Sequence, residues 1–155
     1  MNSLTTKEII KFYKALAKGN FRAAHNVLKG HTVYTLGDRQ NFFKGSEQGQ
    51  GIYVFTDEAR AMEYLAQEKN AGLNTVVLPA DFDAAFYRAA CVDHCNLYIN
   101  ITPKGNRDLF MVYRSDEDKC FQVSKNRDGH YTLPYGLEPE WEDNVETSLK
   151  DRERF

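Results

Sequence analysis

The chain has 155 residues, of which 42% are hydrophobic, 27% charged and 13% aromatic, and a formal net charge of −2. Such a length and composition suit one folded domain with an adequate core and exclude disorder as the main state. The near-balance of charge supplies no global field for nucleic acid or an anionic membrane, and no apolar run approaches the ~18 residues of a membrane span.

Thr5-Thr6-Lys7-Glu8 has the spacing of a capping box, and Ile9, Phe12, Tyr13, Leu16 and Ala17 recur on one face of the helix it opens. Gly19 is placed to stop that helix. Asn20 caps a second one with Phe21, Ala24, Val27 and Leu28 inward, ended by Gly30. Residues 32–36, rich in β-branched and aromatic side chains, read as a strand. Residues 37–51 hold four glycines and read as a loop or irregular hairpin made flexible by them, yet carry Phe42-Phe43. Residues 52–55 form the next strand. Thr56 is expected to cap a helix with Asp57 and Glu58 in its first turn and Ala59, Met62, Leu65 and Ala66 as its apolar stripe. Residues 75–78 suit a buried strand broken by Pro79, after which Asp81 caps a helix through Phe82, Ala85, Phe86 and Ala89.

Residues 97–101, 109–113 and 121–124 then read as strands, and Asp128-Gly129 turns the chain into a further one at 130–133. Residues 138–155 read as a helix with Trp141, Val145 and Leu149 at four-residue intervals. This segment carries seven acidic and three basic side chains. It either packs on the domain or detaches to dock on a basic partner. The order of elements predicts one α+β domain over residues 1–155. It comprises an N-terminal helical hairpin, a mixed β-sheet flanked by helices, C-terminal antiparallel strands and a terminal helix.

Three cysteines, an odd number, argue against a closed disulfide framework. The start MNSLTTKEII lacks the pattern of a signal peptide, so a cytoplasmic protein with reduced thiols is expected. Cys91-Val92-Asp93-His94-Cys95 places three metal-ligand types in five residues, but a structural zinc site needs four ligands and no second pair exists. The expectation is one or two small buried cysteines, a surface histidine and no metal. None of His25, His31, His94 and His130 stands beside a nucleophile signature. The glycines at 45, 49 and 51 precede a strand, whereas a phosphate cradle lies between a strand and a helix. No cofactor is therefore expected. Phe42 and Phe43, with Arg39 and Lys44 beside them, form either a tuck against the core or an aromatic anchor with a polar rim for another protein. The same loop serves equally as a homodimer contact.

His31-Thr32 on one strand, Gly51-Ile52-Tyr53-Val54-Phe55-Thr56 on another, and a helix carrying Ala61 and Tyr64 resemble ADP-ribosyltransferase-like proteins. That resemblance implies NAD held by His31 and Tyr53, with Glu117 as the candidate carboxylate. The plain alternative is that His31 opens a strand and that Tyr53 and Phe55 face alternately across a sheet. A second resemblance covers about residues 30–115. It rests on Val33-Tyr34-Thr35-Leu36-Gly37-Asp38, Val54-Phe55-Thr56-Asp57-Glu58, the strand 76–78, and the Ala-rich helix leading to Asn96-Leu97-Tyr98-Ile99-Asn100. Together these are similar to the N-terminal domain of the SseB-like family of bacterial proteins. It implies a non-enzymatic interaction or accessory role, with another protein as partner. An immunity or inhibitor protein would need no more than such a surface patch.

Overall fold

The computed structural model describes residues 2–38, 44–45, 51–67, 74–101, 110–114 and 120–124. Helix α1 (Thr6–Ala17) opens with the full capping box between Thr5 and Glu8 and buries Ile9, Phe12, Tyr13 and Leu16. The chain reverses at Gly19, whose φ of +68° is a left-handed conformation natural to glycine. Helix α2 (Phe21–Leu28) follows, with the Asn20 side chain accepting from the Ala23 N–H.

The strands are β1 (Asn2–Ser3), β2 (His31–Gly37), β3 (Lys44–Gly45), β4 (Gly51–Phe55), β5 (Val76–Asp81), β6 (Asn96–Ile99), β7 (Phe110–Arg114) and β8 (Cys120–Ser124). All join one mixed sheet ordered β1-β2-β4-β6-β7-β8, with β3 also on β4 and β5 also on β2. β2 runs antiparallel to β4 and β5, β4 runs parallel to β6, and β6-β7-β8 are antiparallel neighbours. The class is α+β, as the order of elements predicts.

Side chains alternate across the strands and build a core on each face. On one face Val33, Ile52, Val54, Leu97, Ile99, Met111 and Tyr113 pack with α1, α2 and helix α4 (Phe82–Tyr87). On the other Leu36, Tyr53, Phe55, Tyr98, Phe110 and Val112 pack with helix α3 (Glu58–Gln67). Every residue of β4 is buried, the mark of a strand covered on both sides. Each large side chain withdrawn in this way contributes about 1.5–3 kcal/mol.

Several local expectations change. Pro79 does not break β5, which pairs continuously with β2 from Val76 to Asp81. Among the described strands β5 has no neighbour beyond β2, and at such an edge a missing N–H is tolerated. In α3 the inward residues are Ala61 and Tyr64, with Leu65 of the expected stripe half-buried beside them, while Met62 is 53% exposed, so the helix is turned from the rest of that stripe. Tyr64 meets Tyr53 edge-on at 5.1 Å, and burying that large ring outweighs burying Met62. Gly51 is a strand residue, not a loop hinge. A Cβ there would lie 2.5 Å from the Tyr98 ring and 2.7 Å from the Asn96 carbonyl oxygen. Tyr53 and Phe55 share one face rather than alternating, because they are two residues apart. Candidate elements at 130–133 and 138–155 lie outside the described residues.

Candidate functional site

In open sheets the ends of parallel strands are where ligands usually sit. β4 and β6 are such a pair, and the chain leaves them at Thr56 and Asn100. Asn100 is fully buried with φ +63°, a conformation that asparagine tolerates better than most residues. Its N–H donates to the Val54 carbonyl at 2.9 Å. Its Oδ1 accepts from the Thr56 N–H at 2.8 Å, and its Nδ2 donates to Thr56 Oγ1 at 2.9 Å and to the Tyr13 hydroxyl at 2.8 Å. The Arg60 guanidinium lies 5.3 Å from the centre of the Tyr13 ring and pairs with Asp57 at 3.5 Å. This strand end is thus filled by the protein's own polar groups, which clamp α1, β4, β6 and the start of α3.

The clamp also explains why Thr56 does not cap α3. Its N–H and hydroxyl are engaged by Asn100, and Asp57 caps instead, its Oδ1 accepting from the Arg60 N–H at 2.8 Å. Segments 54–58 and 96–100, both prominent in the SseB-like resemblance, meet here.

The structure does not bring His31 and Tyr53 together. Their faces are opposite, because His31 is bonded to Glu8 of α1 while Tyr53 packs with Tyr64 of α3. In the β2–β4 register Tyr53 falls opposite Leu36, so the two are roughly 16 Å apart along the strands. Tyr53 is fully buried, edge-on to Tyr64 and Tyr98. His31 has both ring nitrogens engaged, Nδ1 at 3.1 Å from the Asn2 carbonyl and Nε2 at 3.1 Å from Glu8. Glu117 lies outside the described residues, as do Arg39, Phe42 and Phe43. Lys44 is in β3, opposite Ile52.

Helix α4 runs directly into a π-helical turn over Arg88–Val92, closed by an i→i+5 bond from the Asp93 N–H to the Arg88 carbonyl at 2.8 Å. Such a turn brings residues five apart close to one line, where α-helical winding sets them ~140° apart. Tyr87 (61% exposed), Cys91 and Val92 (50% exposed) all face solvent, while Ala89 and Ala90 are buried beneath them. Arg88 and Asp93 pair at 3.1 Å beside this strip. The chain then turns at His94, with φ +50°. Cys91 is therefore exposed and Cys95 is half-buried against the core, so the expected one or two buried cysteines reduce to one that is half-buried. The sequence offered Tyr87 and Val92 no distinction, because a π-turn has no clear local signature.

Among the described residues no group of three or more His, Cys, Asp or Glu side chains is arranged to hold a metal ion, and no helix is long and apolar enough to cross a membrane. No protein-family model, curated protein or solved structure matches this chain.

Proposed function

We propose that this chain is a non-enzymatic protein-binding or adaptor domain of SseB-like type, which engages another protein through an exposed apolar strip. The observation that carries this reading is the exposure of two large apolar side chains five residues apart, Tyr87 at the end of α4 and Val92 at the end of the π-helical turn. Tyrosine is enriched at the buried centres of interfaces, and an exposed Tyr beside an aliphatic neighbour is a suitable anchor. The Arg88–Asp93 pair supplies a polar rim. The polar groups of the β4–β6 end and of His31 support the same reading, since their hydrogen bonds are made within the fold. Phe42 and Phe43, with Arg39 and Lys44, are the second candidate anchor.

Tyr87→Ser with Val92→Ser tests the strip, and Phe42→Ser with Phe43→Ser tests the loop. A protein captured on the wild type is purified and titrated against all three. The strip variant, with an unchanged melting temperature, is expected to bind at least about 30-fold more weakly, as loss of an anchor implies. A purified partner bound equally well by the folded strip variant removes the strip as the site.

A further inference from the structure

Helix α1 presents one sign of charge to solvent. Lys7, Lys11, Lys14 and Lys18 are all exposed, on the side away from the buried Ile9, Phe12, Tyr13 and Leu16. At the α-helical winding the four fall within an arc of about 60° and along about 16 Å of axis. Their spacings of four, three and four residues set like charges side by side, where they repel. Glu8 is the one acidic side chain of α1, and its carboxylate is already occupied. One oxygen accepts from the Thr5 N–H at 2.9 Å, and the other lies 3.1 Å from His31 Nε2. Among the described residues Lys7, Lys11 and Lys14 form no ion pair.

The complementary charge is concentrated elsewhere in the same chain. Residues 138–155 carry seven acidic and three basic side chains, while the rest carries 15 acidic and 17 basic. Glu138, Glu140, Glu142, Asp143 and Glu146 fall within a stretch that contains no Lys or Arg. We infer that the lysine stripe of α1 is a docking surface for an acidic chain segment, and that residues 138–146 of the same chain are its occupant.

Length and spacing both suit this pairing. From Ser124, where β8 ends, to Glu138 the chain can extend about 46–50 Å. Every face of a domain of this size, roughly 35 Å across, is therefore within reach. In the helix that the sequence predicts for this segment, Glu138, Glu142 and Glu146 recur every four residues and make a row about 12 Å long, to set against the lysine row. Ammonium groups on flexible stems suit such a contact, since they pair as point charges without a fixed fork geometry. The contact is electrostatic and exposed, so salt weakens it. It is independent of the Tyr87–Val92 strip, which lies on another helix and is apolar.

The test uses the full chain, mixed as equal parts of ordinary and nitrogen-15-labelled protein. A carbodiimide then joins carboxylates to amines that are in contact. Peptides linking the four lysines to residues 138–146 are expected, each from a single isotope. Their yield, relative to the Lys11–Glu8 link within α1, should fall at least about fivefold between about 0.02 and 0.5 M salt, as the screening length shrinks from roughly 20 to 4 Å. In NMR spectra the Lys11 and Lys14 amide signals should move when Glu138→Gln, Glu140→Gln, Glu142→Gln, Asp143→Asn and Glu146→Gln are combined. Wild type in 0.5 M salt should approach the same positions, with Val54 and Ile99 unmoved. Stripe lysines that link only to other acids, or to none, overturn the inference. So do links of mixed isotope, which place the segment on a second copy, a yield indifferent to salt, or Lys11 and Lys14 signals that stay in place.

Discussion

Replacing Asn100 with Ala probes the joint on which both faces of the sheet depend. The side chain supplies one acceptor and two donated bonds in a fully buried position. Without it the Thr56 N–H, in a residue 1% exposed, has lost its acceptor, a loss of about 1–3 kcal/mol. The bonds to the Thr56 and Tyr13 hydroxyls add about 0.5–1.5 kcal/mol each, reduced where those hydroxyls turn to new partners. Alanine at φ +63° adds about 1 kcal/mol of backbone strain that glycine would escape. These effects overlap, so the expected loss is about 3–5 kcal/mol for Asn100→Ala and about 1 kcal/mol less for Asn100→Gly. Urea unfolding followed by far-ultraviolet circular dichroism measures both, with an unchanged slope confirming that only stability has moved. A thermal midpoint lowered by roughly 6–20 °C is the matching readout. An Asn100→Ala loss below about 1 kcal/mol, or an Ala variant no weaker than Gly, refutes the clamp as drawn. A double-mutant cycle with Thr56→Val should show coupling above about 0.5 kcal/mol.

Gly51→Ala should destabilise by about 1–3 kcal/mol in the same assay, because its Cβ meets both the Tyr98 ring and a backbone oxygen; shrinking Tyr98 should recover only part of this, since the Asn96 carbonyl remains. Thr5→Ala should cost about 1 kcal/mol through loss of the capping box and lower the exchange protection of the first turn of α1. Burial between Phe82 and Phe86, and then the charge of Lys29, hold His25 below its usual 6.5 against the opposing pull of Asp83. The unfolded chain therefore binds a proton that the folded one resists. This contribution is complete above the unfolded value of 6.5 and is lost as pH falls towards the folded value. Urea midpoints at several pH values should show that loss in the wild type and a smaller one in His25→Gln.

What the sequence by itself determined is what neighbours within a few residues decide. The Thr5–Glu8 box, the Asn20 and Asp81 caps, and the reversals at Gly19 and Gly30 all act over a turn or two, and each is where its residue type predicts. The apolar faces of α1, α2 and α4 followed from the helical period, and the α+β order from the succession of those periods. The outcomes that only the tertiary structure decided depend on partners far along the chain. Asn100 reaches Thr56 across 44 positions and Tyr13 across 87, which moves the α3 cap to Asp57 and makes a framework asparagine the centre of a clamp. Pro79 can remain in β5 because of the strand's place at the edge among the described strands, a property of sheet order that no single segment encodes. Tyr64 faces inward because Tyr53 awaits it from another element, and His31 belongs to α1 and β1 rather than to a site with Tyr53 because the pleat sends the two to opposite faces. Local periodicity states which residues seek burial; the packing of the whole chain decides against what, and which polar groups are left to meet a partner.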